Sequence, residues 1–544
     1  MQFNVKNLSL ELSLPTQVFK RLQQVLGKRA VILLLILLSG LSIANFMYFY
    51  HNGFSLLYND ARSHLDIGRR VVDNLKPGFA QLGSVWLPLP HLLMTITIWN
   101  DFMWHSGLSG ALESMISYVA TGVIIYLFLK RLHISMLGRW IGVGIFALNT
   151  NIMYMQSTAM TELLLLGTMT IGVYELLLWH QTDKTMHLIK AAFWIMLATM
   201  NRYDGWFLLG FSAVLIAIHS IHKYGYKKTE GILVLFCTLA GFGIFLWILW
   251  NLAIFHDPLY FISGPYAAAT QQEQLAKAGV LATKKNLGLS IETYIYAMFY
   301  NSTTFMVLLA ALGAVFLWFD KRINRESRMA TVALMAPFFF NILALYLGQS
   351  VIFVQGLSGN SWFNVRYGLM MVPSVAIFIA YLVDRFTNFR YALIGLLIFV
   401  SFFAIVNGDT VTLDDARYGA SGKNVSEVSN WLHAHAENEK GYVLISVASH
   451  DAAIFSSGLD MKRFIHEGTG VYWDLATAHP QRYAHWVVMR TGDTSDLTYK
   501  ILQYNPAFKS DYILVKHFPF ADIYELKPAF VKDLQPLPVV ANNT

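Results

Sequence analysis

The sequence predicts an α-helical polytopic membrane protein of about eleven transmembrane helices, ending in a C-terminal external α/β domain. Three observations predict it. The 544 residues are 55% hydrophobic and only 13% charged, and the mean hydropathy is +0.46. A soluble domain carries about 25% charged residues, so this chain has too little charge to coat a water-facing surface. Apolar runs near the ~20 residues that a bilayer core requires recur through residues 30–407. Beyond residue 407 the pattern changes to short β-rich runs alternating with helical stretches.

The runs place spans at residues 30–50, 110–129, 140–157, 162–179, 188–200, 205–221, 231–255, 302–319, 329–348, 368–383 and 391–407. The fifth and sixth could form one broken helix or two short ones hinged at residues 201–205. Basic residues decide between them. They gather at Lys20/Arg21/Lys28/Arg29, Lys130/Arg131/Arg139, Lys184/Lys190, Lys223/Lys227/Lys228, Lys321/Arg322/Arg325/Arg328 and Arg385/Arg390. Every second loop belongs to this set only if the two runs are separate spans. The excess of Lys and Arg in cytoplasmic loops then predicts a cytoplasmic N-terminus and an external C-terminus. The net charge of +7 is explained by these loops and calls for no nucleic-acid partner. Residues 1–28 are mixed and amphipathic, and the first apolar run is long enough to remain as a span rather than a cleaved signal. The single cysteine, Cys237, lies in an apolar run and can form no intramolecular disulfide.

Residues 1–407 thus read as one transmembrane domain, with external loop helices within 51–109 and 256–301, and 408–544 as a separate external domain. In the latter, residues 443–448, 463–468, 485–490, 511–517 and 522–526 read as strands, and 450–458 and 496–504 as helices. No phosphate-binding glycine loop precedes a helix there, so no catalysis is expected of it.

The predicted topology puts five polar stretches on one face of the membrane. They are Asp60 with Arg62 and His64, residues 156–162 ending in Glu162, residues 201–204 with Arg202 and Asp204, His256-Asp257-Pro258, and Asn364-Val365-Arg366-Tyr367. Ionisable groups near a bilayer are costly and mark functional sites by default. Asp60 follows the first span directly. It reads as a general base or as the cap of the helix that it opens. His64, at i+4, shares its helical face and could orient it. Asp66 and Arg70 have the same spacing and read as a solvated pair. Trp86, Trp99 and Trp104 are expected at the membrane interface, where tryptophan is enriched.

The stretches NDARSHLDIGRRVVDNL (59–75), QLGSVWLPLPHLL (81–93), STAMTELLLLG (157–167), TMNRYDGWFLL (199–209), WNLAIFHDPLYF (250–261) and FNVRYGLMMVP (363–373) occur in an order that resembles the GT-C superfamily of membrane glycosyltransferases. The likeness is to the group that includes protein O-mannosyltransferases and the aminoarabinose transferase of lipid A, and it covers most of the chain. It departs at the first motif, where many relatives carry two adjacent acids and Asp60 is followed by Ala61.

The resemblance implies transfer of one sugar from a polyprenyl-phosphate donor to an acceptor hydroxyl on a protein, lipid or glycan, at the external face and with inversion. A mannosyl or other hexosyl donor and a bacterial inner-membrane location are expected. Asp60 and His64 are then the catalytic candidates. Arg62, Glu162, Arg202, Asp204, His256, Arg366 and Tyr367 are the substrate-binding candidates. Arg202 and Arg366 suit the carrier phosphate, since a guanidinium grips phosphate oxygens through two parallel bonds; as plain interface residues they would snorkel. Glu162 reads equally as a second acid or as a charge matched to its helix N-terminus. His256 and Asp257 could mark simple helix termination before Pro258. Residues 265–290 form a long polar segment of the kind that closes over ligands.

No Cys/His spacing indicates zinc. A divalent cation is possible if Asp60, Glu162 and Asp204 converge; no other cofactor is expected. Membrane lipids are expected partners. A lipid-linked-glycan transporter or a non-catalytic assembly subunit are the alternatives. A transporter needs polar residues through mid-span and repeated halves, whereas here the polar groups crowd one face.

Overall fold

The computed structural model describes residues 16–264, 267–419 and 425–539. All eleven expected runs are helical. Among the described residues, eight helices are long and apolar enough to cross a membrane: Arg29–His51, Leu108–Arg131, Glu162–Thr182, Tyr203–Tyr224, Tyr226–Phe255, Arg325–Leu347, Val365–Arg385 and Arg390–Tyr418. A ninth arises if Leu287–Ser302 and Thr304–Phe319, bent by 110°, make one span. The bend sits at Thr303, whose φ of 61° interrupts the helical backbone. The remaining two runs form helices too short to cross a bilayer core singly. The run at 140–157 is broken into Met136–Ala147 and Thr150–Met155, with the Asn149 side chain capping the second piece. Thr185–Thr199 has 15 residues, about 22 Å of helix against a hydrocarbon core of about 30 Å. It ends before Tyr203–Tyr224 begins, so the fifth and sixth runs are separate helices.

Burial separates centre from rim. In the most apolar 18-residue stretch of each helix, 89% of the residues are buried inside the protein for Glu162–Thr182 and for Val365–Arg385, against 6% for Arg390–Tyr418. The two central helices begin at, or one residue before, Glu162 and Arg366. The best-supported scaffold in the molecule therefore carries these two residues.

The C-terminal part forms a five-stranded sheet of β1 (Tyr442–Ile445), β2 (Phe464–Ile465), β3 (Ala484–Met489), β4 (Tyr512–His517) and β5 (Asp522–Leu526). The order is β2-β1-β3-β5-β4. β1 runs parallel to β2 and β3, and β5 antiparallel to β3 and β4. All five strands lie where alternation placed them. Helix Val447–Ser457 follows β1 and packs against the external helix Asn59–Val72.

The helix Asn59–Val72 is packed within the protein. Ten of its residues, among them Ala61, His64, Asp66 and Arg70, are buried by protein. Asp66 and Arg70 are not a solvated pair: Asp66 is fully buried, and Arg70 Nη1 donates instead to Asp451 Oδ1 at 2.6 Å. Trp104 is likewise buried, and its Nε1 donates to Asp66 Oδ1 at 3.2 Å. Trp99 is exposed. The segment 265–290 contains a helix, Ala268–Lys277, although residues 265 and 266 lie outside the described residues.

Candidate active site

Four of the polar stretches meet in one cluster. Arg366 lies in the short 3-10 turn Val365–Met371 that leads into the central helix. The preceding residue, Asn364, adopts φ 55°, and its side-chain amide donates to Val351 O at 3.0 Å; asparagine is one of the few residues that visits this left-handed conformation routinely. A Cβ at Gly368 would fall 2.4 Å from Ala297 O, so the absence of a side chain there lets the turn press against the helix Leu287–Ser302. Arg202 sits in an equally tight place, the three-residue link between Thr185–Thr199 and Tyr203–Tyr224. A Cβ at Gly205 would fall 2.3 Å from the Ala198 carbonyl.

Glu162, the first residue of its helix, is fully buried between the two arginines. Its Oε1 accepts from Arg202 Nη1 at 3.1 Å and from Arg366 Nε at 3.0 Å. Arg366 Nη2 donates to Asp60 Oδ2 at 2.8 Å, and its Nη1 lies 3.7 Å from Asp415 Oδ2. Arg202 also donates to Asp204 Oδ2 at 3.4 Å and to Thr161 Oγ1 at 3.2 Å. The rings of Tyr367 and Tyr58 complete the walls. Tyr367 lies 4.7 Å from the Arg202 guanidinium carbon, and Tyr58 lies 4.9 Å from that of Arg366. Stacking of this kind adds attraction without adding a competing charge.

Exposure distinguishes the members. The side chains of Glu162 and Asp415 are 0% exposed and that of Arg366 3%, whereas Arg202 retains 17% and Asp60 41%. The buried members are thus committed to one another, and Asp60 is the most exposed carboxylate of the cluster. Two guanidiniums face four carboxylates, those of Asp60, Glu162, Asp204 and Asp415. Each acid is engaged by an arginine: Asp60, Glu162 and Asp415 meet at Arg366, and Glu162 and Asp204 at Arg202. Among the described residues no group of three or more His, Cys, Asp or Glu side chains is arranged to hold a metal ion.

His64 shares the helix of Asp60 but turns elsewhere. Its Nδ1 lies 2.9 Å from His91 Nε2, and its ring meets Trp86 at 4.4 Å between centroids. Burial, then the nearby charges of Arg202 and Arg366, lowers its pKa to about 3, so the imidazole is neutral. His91 is also pushed well down, by burial and by His64. Arg62 donates to Leu56 O at 2.8 Å and braces its own loop. His256 is exposed, with φ 58°, and terminates the helix Tyr226–Phe255. Its neighbour Asp257 accepts from Leu259 N and Ser263 Oγ within the following turn.

Two members had no place in the sequence reading. Tyr58 is buried, and its hydroxyl donates to Thr412 O at 2.7 Å and to Asp415 Oδ2 at 3.3 Å. Burial, reinforced by Asp415, raises its pKa well above the usual phenol value, which keeps it a donor. Asp415 comes from helix Val411–Tyr418, inside the segment assigned no part in the chemistry. The signal was present: Asp415 follows an apolar span as closely as Asp60 does.

No family model and no curated protein matches the chain in sequence. Solved structures match over nearly its whole length. ArnT from Cupriavidus metallidurans bound to undecaprenyl phosphate superposes with a TM-score of 0.53 at 11% identity, covering 92% of this chain and 99% of that one. The same protein in the apo state gives 0.52 at 12% identity, over 91% and 98%. The archaeal oligosaccharyltransferase AglB from Archaeoglobus fulgidus, in complex with an inhibitory peptide and a dolichol-phosphate, gives 0.51 at 11% identity, over 85% and 69%. The chain has the fold of these membrane proteins, which is the GT-C fold that its motif order resembles.

Proposed function

We propose that the chain is an integral-membrane glycosyltransferase that moves a single sugar, of hexosyl or mannosyl type, from a polyprenyl-phosphate donor to an acceptor hydroxyl at the external face. The observation that carries this reading is the open carboxylate of Asp60, held at 2.8 Å by an arginine that is itself sealed from solvent. The polyprenyl phosphates bound to ArnT and AglB support the donor class.

In this reading the acceptor oxygen attacks the anomeric carbon from the side opposite the phosphate. The bond from that carbon to the phosphate oxygen breaks, Asp60 takes the hydroxyl proton, and polyprenyl phosphate leaves. One displacement inverts the anomeric configuration. Arg366 positions Asp60, because its guanidinium is occupied by acids and sealed. Arg202, more open and with Asp204 beside it, faces the phosphate as charge collects on the leaving oxygen. Glu162 and Asp415 hold the two arginines, and Tyr367 stacks on the Arg202 guanidinium. The neutral His64, paired with His91, supports the Asp60 helix from beneath. His256 and Arg62 serve the neighbouring loops.

The test is transfer and binding of a polyprenyl-phosphate sugar by the purified protein in nanodiscs. The parent should bind the donor and release polyprenyl phosphate when acceptor is added. A parent protein that binds no polyprenyl-phosphate sugar would remove the donor class.

A further inference from the structure

Residues 348–364 and helix Val411–Tyr418 border an open pocket of about 390 Å³ beside the site, lined by Gln355, Asn360, Ser361, Trp362, Asp414 and Tyr418. That volume lies within the usual range of small-molecule pockets. Among the described residues, every lining side chain carries a hydrogen-bonding group, none is aliphatic and none is cationic. Among the described residues, none of the six donates or accepts a side-chain hydrogen bond within the protein. Trp362 is steadied by an edge-on contact with Tyr300 at 4.8 Å between centroids.

Its position ties it to the chemistry. Asp414 and Asp415 are consecutive on one helix and so point about 100° apart. Asp415 faces Arg366 while Asp414 faces the cavity. The cavity thus adjoins the active-site cluster, with this helix as the shared wall.

We infer that the cavity is a subsite for a sugar unit of a glycan acceptor, an inference that rests on the glycosyltransferase reading above. A pyranose ring presents apolar C–H faces and a girdle of hydroxyls. The faces suit the rings of Trp362 and Tyr418. The hydroxyls suit the amides of Gln355 and Asn360, the Ser361 hydroxyl and the Asp414 carboxylate, which together offer donors and acceptors. An acyl chain or an apolar peptide side chain would leave these polar groups desolvated and unpaired. A phosphate would meet the Asp414 carboxylate, and the nearby Arg417 stacks on Phe54 rather than lining the pocket.

The experiment measures saturation-transfer NMR of mannotriose, cellotriose, maltotriose and chitotriose with the full chain in nanodiscs, without donor. At least one should give a saturable signal that Tyr418→Ala and Asp414→Asn each weaken about tenfold, the scale of one lost hydrogen bond to a charged group. Tyr418 is 76% exposed, so its truncation spares the fold; unchanged melting checks this. Asp60→Asn should bind the saccharide like the parent. No signal from any of the four, or a signal unaffected by both cavity variants, sinks the subsite and leaves the donor reading standing. Capture of an apolar peptide that no saccharide displaces also overturns it. Saccharide binding by a parent that binds no polyprenyl-phosphate sugar removes the acceptor role, because the transferase reading itself has then failed.

Discussion

Arg366 donates to Asp60 across 2.8 Å although 306 residues separate them in the chain. The bond joins an arginine that is almost fully enclosed to an acid that is two-fifths exposed. In the proposed reading this asymmetry divides the work: the enclosed partner fixes position, and the open partner meets the substrate. It also separates the effects expected from altering each one.

Asp60→Asn keeps the size of the side chain and an acceptor for Arg366 but removes the base. Turnover should fall about 10²-fold or more, the usual scale for loss of a general base. Donor affinity and melting temperature should stay near those of the parent. Transfer rate, donor binding and a thermal melt on the same preparation decide the matter. Near-normal transfer by the variant would assign Asp60 to helix capping.

Lysine at the two arginines separates positioning from binding. Lysine keeps the charge and loses the planar fork. Arg202→Lys should weaken donor binding and turnover together, because its contact to phosphate acts in both ground and transition states. Arg366→Lys should slow turnover while donor affinity changes little, because its contribution passes through Asp60. The opposite pattern would exchange the two roles.

Glu162→Gln is a stability variant. Glu162 is fully buried and its Oε1 serves both guanidiniums. Breaking a buried ion pair by removing one partner costs about 3–5 kcal/mol, because the other charge remains uncompensated. A large drop in melting temperature is expected, with activity lost in proportion to folded protein. A Gln variant that melts like the parent and has lost only turnover would instead place Glu162 in the chemistry.

The sequence revealed the helices, the five strands and the four stretches that meet, because hydrophobic period and charge are local properties. It did not reveal which acid meets which arginine. His64 lies at the spacing that should bring it to Asp60, yet a helix places side chains i and i+4 on one face without specifying what covers that face. Here His91 and Trp86 cover it. Asp66 and Arg70 were misread for the same reason. Their setting depends on Asp451, 381 residues beyond Arg70, and no local pattern carries that contact. Asp415 was legible as an acid after a span, but it lies beyond the change of composition at residue 407, in the segment from which no chemistry was expected.

Orientation is testable apart from the chemistry. The basic loops predict a cytoplasmic N-terminus and an external C-terminal sheet domain. A reporter fused to the C-terminus and active only in the cytoplasm should be silent, while one active only outside should report. The reverse result would put the whole cluster on the cytoplasmic side, away from the external acceptors proposed for it.

The joint between the Asp60 helix and the C-terminal domain should respond to pH. Asp66 and Asp451 are buried together with Arg70, and Glu467 bears on the same group. Burial first, and then mutual repulsion, raises Asp66 well above the ordinary carboxyl value of 3.8; burial also raises Asp451. A carboxyl whose folded pKa exceeds its unfolded one stabilises most below the unfolded value. That contribution is lost as pH rises through the folded value. With both acids ionised, two negative charges would face the single cation of Arg70. Melting temperature should therefore fall as pH is raised above the ordinary carboxyl value of 3.8 and through the raised folded value, with easier proteolysis at the joint. Asp66→Asn mimics the protonated acid and should flatten the dependence, holding the Asp60 helix against helix Val447–Ser457 at alkaline pH. An Asn variant as pH-sensitive as the parent would move the titration to another group.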